Sequence, residues 1–215
     1  MASRTGLREQ RKQATRAALR EAALRLALER GPENVRVDDI AEAAGVAPRT
    51  YNNYFSSREQ AIVAAVTAER EARVAAAVAA RPAGVRLADA VADAIVEQYT
   101  DPGEHDRDAL LLITTRPALR EAFVDTATAF EQPLAAAIAQ RLGETAPHTS
   151  HVLAAGVAAA VRVALHEWVR PAPEQPAGGL VVPSGSLPDL LRTALETLAP
   201  ALDAAEERAG RRAAP

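Results

Sequence analysis

The densest group of side chains able to do specific chemistry lies between residues 49 and 54, where Arg49, Thr50, Asn52, Asn53 and Tyr54 fall within six positions. An Asn amide can bond N6 and N7 of adenine, and a guanidinium can bond O6 and N7 of guanine. Tyr51 and Phe55 are four apart, so on one helix they share a face. If that face turns inward, the polar five turn outward. The outward set carries one charge, Arg49, whereas an ordinary solvated face more often carries Glu and Lys. Its neighbourhood is basic. Residues 1–58 hold eleven basic against seven acidic residues, a balance of +4, while the remainder carries −7 and the whole chain −3. A basic end on an acidic body points to a polyanionic partner. Charge alone leaves a solvated helix face as the alternative.

Other chemistries find no support. Cysteine is absent, which removes disulfides, thiolate metal sites and cysteine nucleophiles. His166-Glu167-Trp168-Val169-Arg170 begins like a zinc-protease helix, but Arg170 stands where the second His must be. His148 and His151 are three apart and could share a metal, yet no third ligand lies nearby in sequence, so they read as surface histidines and no metal is expected. The segment 178–182 lacks the Lys and Ser/Thr of a phosphate loop. No nucleophile elbow or dinucleotide fingerprint is present. The expectation is a non-enzyme without a cofactor.

The elements that position the 49–54 group are helical. Of the 215 residues, 48% are hydrophobic but only 3% aromatic, and Ala, Leu, Arg and Glu dominate, which favours helix over strand. The expected fold class is all-α. Helical spacing predicts helices at about 10–30, 37–44, 48–55, 57–80, 86–100, 106–115, 118–142, 149–169 and 187–208. Gly31-Pro32, Gly45, Arg81-Pro82-Ala83-Gly84, Asp101-Pro102-Gly103 and Gly143 supply breaks. Ser57 is the expected N-cap of the fourth helix. The Pro- and Gly-rich stretch 171–188 is expected to be a surface loop. No apolar leader follows Met1, and the longest apolar run, Val152–Val161, is about half a membrane span, so the expected location is the cytoplasm with no membrane contact.

Residues 37–55 read as two short helices joined by a tight turn, the helix-turn-helix arrangement. Ala41 is small where the helices must approach, and Gly45 can take the positive φ of the turn. Leu19, Ala22-Ala23, Leu26, Gly31, Val37, Ile40-Ala41, Ala44-Gly45-Val46, Thr50, Tyr54-Phe55 and Arg58 together resemble the DNA-binding domain of the TetR family of bacterial transcriptional regulators. The resemblance covers roughly the first sixty residues; beyond them it is one of helical character. It implies a DNA-binding domain with a basic arm at 1–56 and a ligand-binding and dimerisation domain at 57–215. It also implies a homodimer on a near-palindromic operator in double-stranded DNA, acting as a repressor that a small-molecule effector releases.

On that reading Arg49 and Asn52 are the expected base readers, with Thr50 and Asn53 next. Tyr54, Arg58 and Arg36 are expected at phosphates, and an arm carrying Arg4, Arg8, Arg11 and Lys12 at a neighbouring phosphate or the minor groove. Five positions depart from the family's habit, Ala27 and Pro32 standing where aromatics are common. Ala47 cannot cap its helix with a side chain, Arg36 replaces a hydroxyl, and Asn52 stands where many members have Tyr. The small residues of 149–169 and the Leu-rich last helix are candidates for an intersubunit bundle, or equally for monomer core. Gln98, Tyr99, Thr115, Arg116, Phe123 and Phe130, with Thr114 and Gln132, are candidate contacts for a hydrophobic or amphipathic ligand. The run Thr115–Arg120 and the Gln140–Gly143 helix end resemble an actinobacterial subgroup that includes acyl-CoA-responsive regulators, which would bring Arg116 and Arg120 to phosphates. The competing reading from another class is a helical small-molecule-binding or interaction module without specific DNA binding.

Overall fold

In a computed structural model the residues described are 4–100, 107–126, 129–143, 147–170 and 186–213. They form α-helices, one 3₁₀ turn and connecting turns, with no strand among them. The helices are α1 (Arg4–Arg30), α2 (Val37–Ala43), α3 (Pro48–Tyr51), α4 (Arg58–Ala80), α5 (Leu87–Thr100) and α6 (Arg107–Thr115), followed by α7 (Pro117–Asp125), α8 (Glu131–Arg141), α9 (Pro147–Val169), α10 (Leu187–Glu196) and α11 (Ala199–Ala213). The all-α class expected from composition holds. The 171–185 part of the expected surface loop lies outside the described residues.

Three boundaries differ from those read off the sequence. The expected helix 118–142 is two helices, α7 and α8. Pro133 sits in the first turn of α8, where its missing N–H costs nothing; within a continuous helix it would break the ladder. The expected helix 187–208 also divides, at Thr197-Leu198, and Pro200 occupies the first turn of α11 for the same reason. Finally, α1 begins at Arg4, so Arg8, Arg11 and Lys12 stand exposed on a helix and not on an arm preceding one.

The chain divides into two compact units, residues 1–67 with 106–123, and residues 68–105 with 124–215. In the first, α1 packs on α2 and on α6, and α2 packs on α3. Leu19, Ala22, Ala23, Leu26, Ile40, Ala41, Tyr51, Phe55, Ile62 and Ile113 are buried there. In the second, α9 lies between α8 and α10, and α5 packs on α10 and α11. Its core is mainly aliphatic: Leu87, Val91, Ile95, Leu134, Ile138, Val157, Val161, Leu165, Leu191 and Leu202 are buried, with Tyr99 and Phe130 the buried aromatics. Among the described residues one helix, α9, is long and apolar enough to cross a membrane by composition. It packs on α8 and α10 within this unit.

A largely buried arginine ties the second unit together. Arg141, at the end of α8, donates Nη1 to the carbonyl of Arg81 at 2.9 Å and Nη2 to that of Val85 at 2.7 Å. Its side chain is 10% exposed. These bonds satisfy carbonyls of the turn between α4 and α5, and a charged donor makes them stronger than neutral ones. Arg141→Met keeps the stem and removes both donors. It is expected to lower stability in urea unfolding by about 3 kcal/mol, since two carbonyls lose charge-assisted partners.

Candidate nucleic-acid interface

Local backbone chemistry dictates the turn between α2 and α3. Gly45 has φ 70°, the left-handed region. With the chain turned there, the N–H of Gly45 bonds the carbonyl of Glu42 at 3.0 Å and the N–H of Val46 bonds that of Ala41 at 2.9 Å. These are the two reverse bonds of a Schellman cap, and they satisfy carbonyls that the end of α2 would otherwise leave open. At its other end α2 is held by the Asp39 carboxylate, which accepts the N–H of Arg36 at 3.0 Å.

The third helix starts at Ala47, which makes no side-chain cap, as its methyl requires; Pro48 occupies the first position. The α-helix covers only Pro48–Tyr51, where the sequence predicted helix to Phe55. The chain continues through hydrogen-bonded turns, with Asn53 N–H to Thr50 O at 3.1 Å, Tyr54 N–H to Tyr51 O at 2.8 Å and Phe55 N–H to Tyr51 O at 3.1 Å. Tyr51 and Phe55 are buried with ring centroids 5.8 Å apart, in the inward orientation their spacing implied. The Tyr51 hydroxyl donates to the Ser57 carbonyl at 2.7 Å. Burial, and then the charge of Glu59, push its pKa upward, so the phenol remains a donor throughout the physiological range. Ser57 caps α4 as expected, accepting the N–H of Gln60 at 3.1 Å, while the Gln60 side chain accepts the N–H of Ser56 at 2.7 Å.

These contacts leave Arg49, Asn52 and Asn53 exposed, with Thr50 and Tyr54 half-buried beside them. Arg36 is exposed at the start of α2, and Arg8, Arg11 and Lys12 are exposed on α1. The exposed Arg16 places its guanidinium 5.8 Å from the Phe55 ring centre, within cation–π range.

Arg58, also expected at a phosphate, is engaged within the chain. Its Nη1 donates to the carbonyls of Val35 at 2.9 Å and Glu33 at 3.1 Å, and its Nε to the Glu59 carboxylate at 2.7 Å. The start of α4 is thereby fastened to the segment preceding α2. Partial burial works to raise the Glu59 pKa, but hydrogen bonds and charge from Arg58 outweigh it and the net shift is downward. Arg116 joins the same locus, with Nη2 3.6 Å from the Glu33 carboxylate. Arg120 donates to the Thr114 carbonyl at 3.2 Å.

The six expected ligand contacts fall in both units. Thr115 and Arg116 are exposed and Phe123 is buried in the first; Gln98 is half-buried, and Tyr99 and Phe130 are buried in the second. Sequence reasoning missed Arg70, which is 4% exposed with its guanidinium 4.4 Å from the Tyr99 ring centre. The signal was present: Ile62, Val66, Arg70, Val74 and Val78 form one i+4 row of α4, so an arginine stands within a core-facing stripe.

Comparison with known proteins agrees with this geometry. The pattern "Bacterial regulatory proteins, tetR family" matches residues 19–65, which include both short helices and the turn. A second pattern, "MftR C-terminal domain", matches residues 85–203. Among curated proteins, the HTH-type transcriptional regulator TcmR of Streptomyces glaucescens is 31% identical over 147 residues, 64% of this chain. That match spans 65% of the TcmR length. A crystal structure of a tetR-family transcriptional regulator from Streptomyces coelicolor aligns over 93% of this chain and 88% of that one, at 20% identity and a TM-score of 0.40.

Two outcomes follow from the turn and its fastening. No atom lies within 4 Å of a Cβ built at Gly45, so Gly45→Ala meets no clash and its cost is that of the backbone conformation alone. Thermal unfolding should show a loss of about 1–2 kcal/mol, partly recovered by Gly45→Asn, which tolerates the left-handed region better. Glu59 has a lowered native pKa, so its contribution is complete above the ordinary carboxylate range and disappears as pH falls through the native value. Acid titration of the wild type should therefore show a stability loss on that low-pH side that Glu59→Gln lacks.

Proposed function

The chain belongs to the tetR family of bacterial regulatory proteins, and from that premise we propose that it is a DNA-binding transcriptional repressor, released from its operator by a small hydrophobic or amphipathic effector. The observation that carries this reading is the glycine-turned pair α2–α3, which buries Tyr51 and Phe55 and leaves Arg49, Asn52 and Asn53 exposed together. Such a pair presents its second helix to the major groove, where these side chain types bond base edges. Thr50 adds a hydroxyl at the edge of the same face.

In the proposal residues 1–56 read DNA, and 57–215 bind the effector and pair with a second copy in the cytoplasm. Arg36, Tyr54, Arg8, Arg11 and Lys12 contact phosphates. Arg58 acts by holding the reading helices, because its guanidinium already bonds Glu33, Val35 and Glu59. Twofold pairing follows from the operator symmetry that the family implies, since a palindrome is read by two related half-site binders. Within the second unit, Gln98, Tyr99 and Phe130 are the proposed effector contacts. Thr115, Arg116 and Phe123 lie in the first unit, where Arg116 pairs with Glu33 beside the segment before α2.

Selection of bound sequences from a random duplex pool tests the reading. The wild type should enrich an inverted repeat, and failure to enrich any motif would contradict the proposal. On the selected duplex, Arg49→Ala and Asn52→Ala should each lose about 1–3 kcal/mol of discrimination at one base pair of each half-site. Lys12→Ala should weaken all duplexes alike and reduce the salt slope by about 0.9 for each phosphate contact removed. Arg58→Ala should reduce stability and affinity with no matching change in that slope.

A further inference from the structure

The first half of α1 projects from the first unit. The helix starts at Arg4, yet among its described side chains the first buried one is Leu19. Every side chain described from Arg8 to Ala14 is exposed. Further along, Leu19, Ala22, Ala23 and Leu26 form the buried stripe of the helix. At about 100° per residue, Arg8 and Lys12 each lie within about 20° of Leu19 around the axis. The stripe that is apolar where it is buried therefore continues as cations where it is exposed. Arg16 stands about 60° to one side. Its guanidinium is 5.8 Å from the Phe55 ring centre, so the base of the projecting segment adjoins the end of the reading segment.

Arg8, Lys12, Arg16 and Arg20 follow one another four residues apart, an unbroken row of like charge. Neighbours of this kind weaken an isolated helix, and an acidic residue within the row would relieve them. Residues 1–20 hold six basic residues and one acid, Glu9. A helical stretch of this length with no packed face is marginal on its own. An external polyanion that meets the charges together removes their repulsion and holds the helix. Duplex DNA supplies such a line of charge, one phosphate per about 1.7 Å of its axis. The row starts beside Phe55, close to the exposed Arg49, Asn52 and Asn53, and runs outward from there.

We propose that the projecting part of α1 is a rigid cationic ridge that lies along the phosphate backbone outside the half-site read by α3. Arg8, Arg11, Lys12 and Arg16 form the ridge, and its partner is flanking duplex of any sequence. Helical form holds successive cations of the row about 6 Å apart along the axis, a fixed pitch that an unstructured arm of the same composition lacks. The contact adds affinity and salt dependence without reading bases. The inference rests on the DNA-binding reading above and extends its footprint beyond the half-sites.

The test measures binding of the full chain to two duplexes. One is an operator obtained by selection and trimmed flush with its half-sites; the other carries one further helical turn, about ten base pairs of arbitrary sequence, at each end. At low salt the wild type should bind the longer duplex about tenfold or more tightly than the trimmed one, with a steeper salt slope. Arg8→Gln combined with Arg11→Gln should lower the slope on the longer duplex by about 1.8 per protomer and leave binding to the trimmed duplex and base preference unchanged. Ala14→Pro keeps every charge but breaks the helix at an exposed position, and proline is tolerated in the first turn of the helix that remains. It should lose the gain from the flanks and keep the trimmed-duplex affinity. Equal wild-type affinity for the two duplexes, with an inverted repeat still enriched in selection, overturns the ridge while the DNA-binding reading stands. A flanking gain that survives Ala14→Pro also overturns it, because a flexible arm then suffices. A selection that enriches no sequence contradicts the DNA-binding reading and the ridge with it.

Discussion

The left-handed backbone at Gly45 is the constraint on which the candidate interface depends. It ends α2 after two turns and brings the Val46 N–H back to the Ala41 carbonyl. The chain then re-enters helix at Pro48 with Tyr51 and Phe55 directed inward. Buried aromatics of this size each contribute several times the free energy of a surface contact, about 3–5 kcal/mol on truncation. The orientation of the short third helix is therefore set by what it buries. Arg49, Asn52 and Asn53 need no partner within the chain to stand where they do.

Three arginines act on the frame through bonds within the chain. Arg58 joins the first turn of α4 to the carbonyls before α2, and Arg116 approaches the carboxylate of that same segment. Arg141 closes the turn between α4 and α5 in the second unit. Two of them were expected from sequence to meet phosphates or a ligand. A guanidinium satisfies backbone carbonyls and phosphate oxygens with the same fork of donors, so residue type alone does not distinguish the two uses.

The legible part of the sequence was that governed by local rules. The helix class followed from composition, the α2–α3 turn from Gly45, the α4 cap from Ser57, and the inward pair from the spacing of Tyr51 and Phe55. Pro133 and Pro200 carried signals that apolar periodicity overrode, which is why two helices were expected where four are found. Arg70 stood in plain view within an aliphatic row of α4. The Arg58, Arg116 and Arg141 contacts were not legible, because each joins residues distant in sequence and depends on tertiary placement. The effector contacts were the least legible for a related reason: polar and aromatic residues on apolar helices serve as core, surface or pocket according to packing that periodicity does not report.

A symmetric pair of glycine-turned helices reading the major groove is the core of the proposed function. Hydroxyl-radical footprinting of the full chain on a duplex enriched by selection, combined with the mass of the complex, tests it most directly. An even number of protomers and two protected regions on one face of the duplex, about 34 Å apart or a multiple of that, are expected. A single protected region bound by one protomer would contradict it.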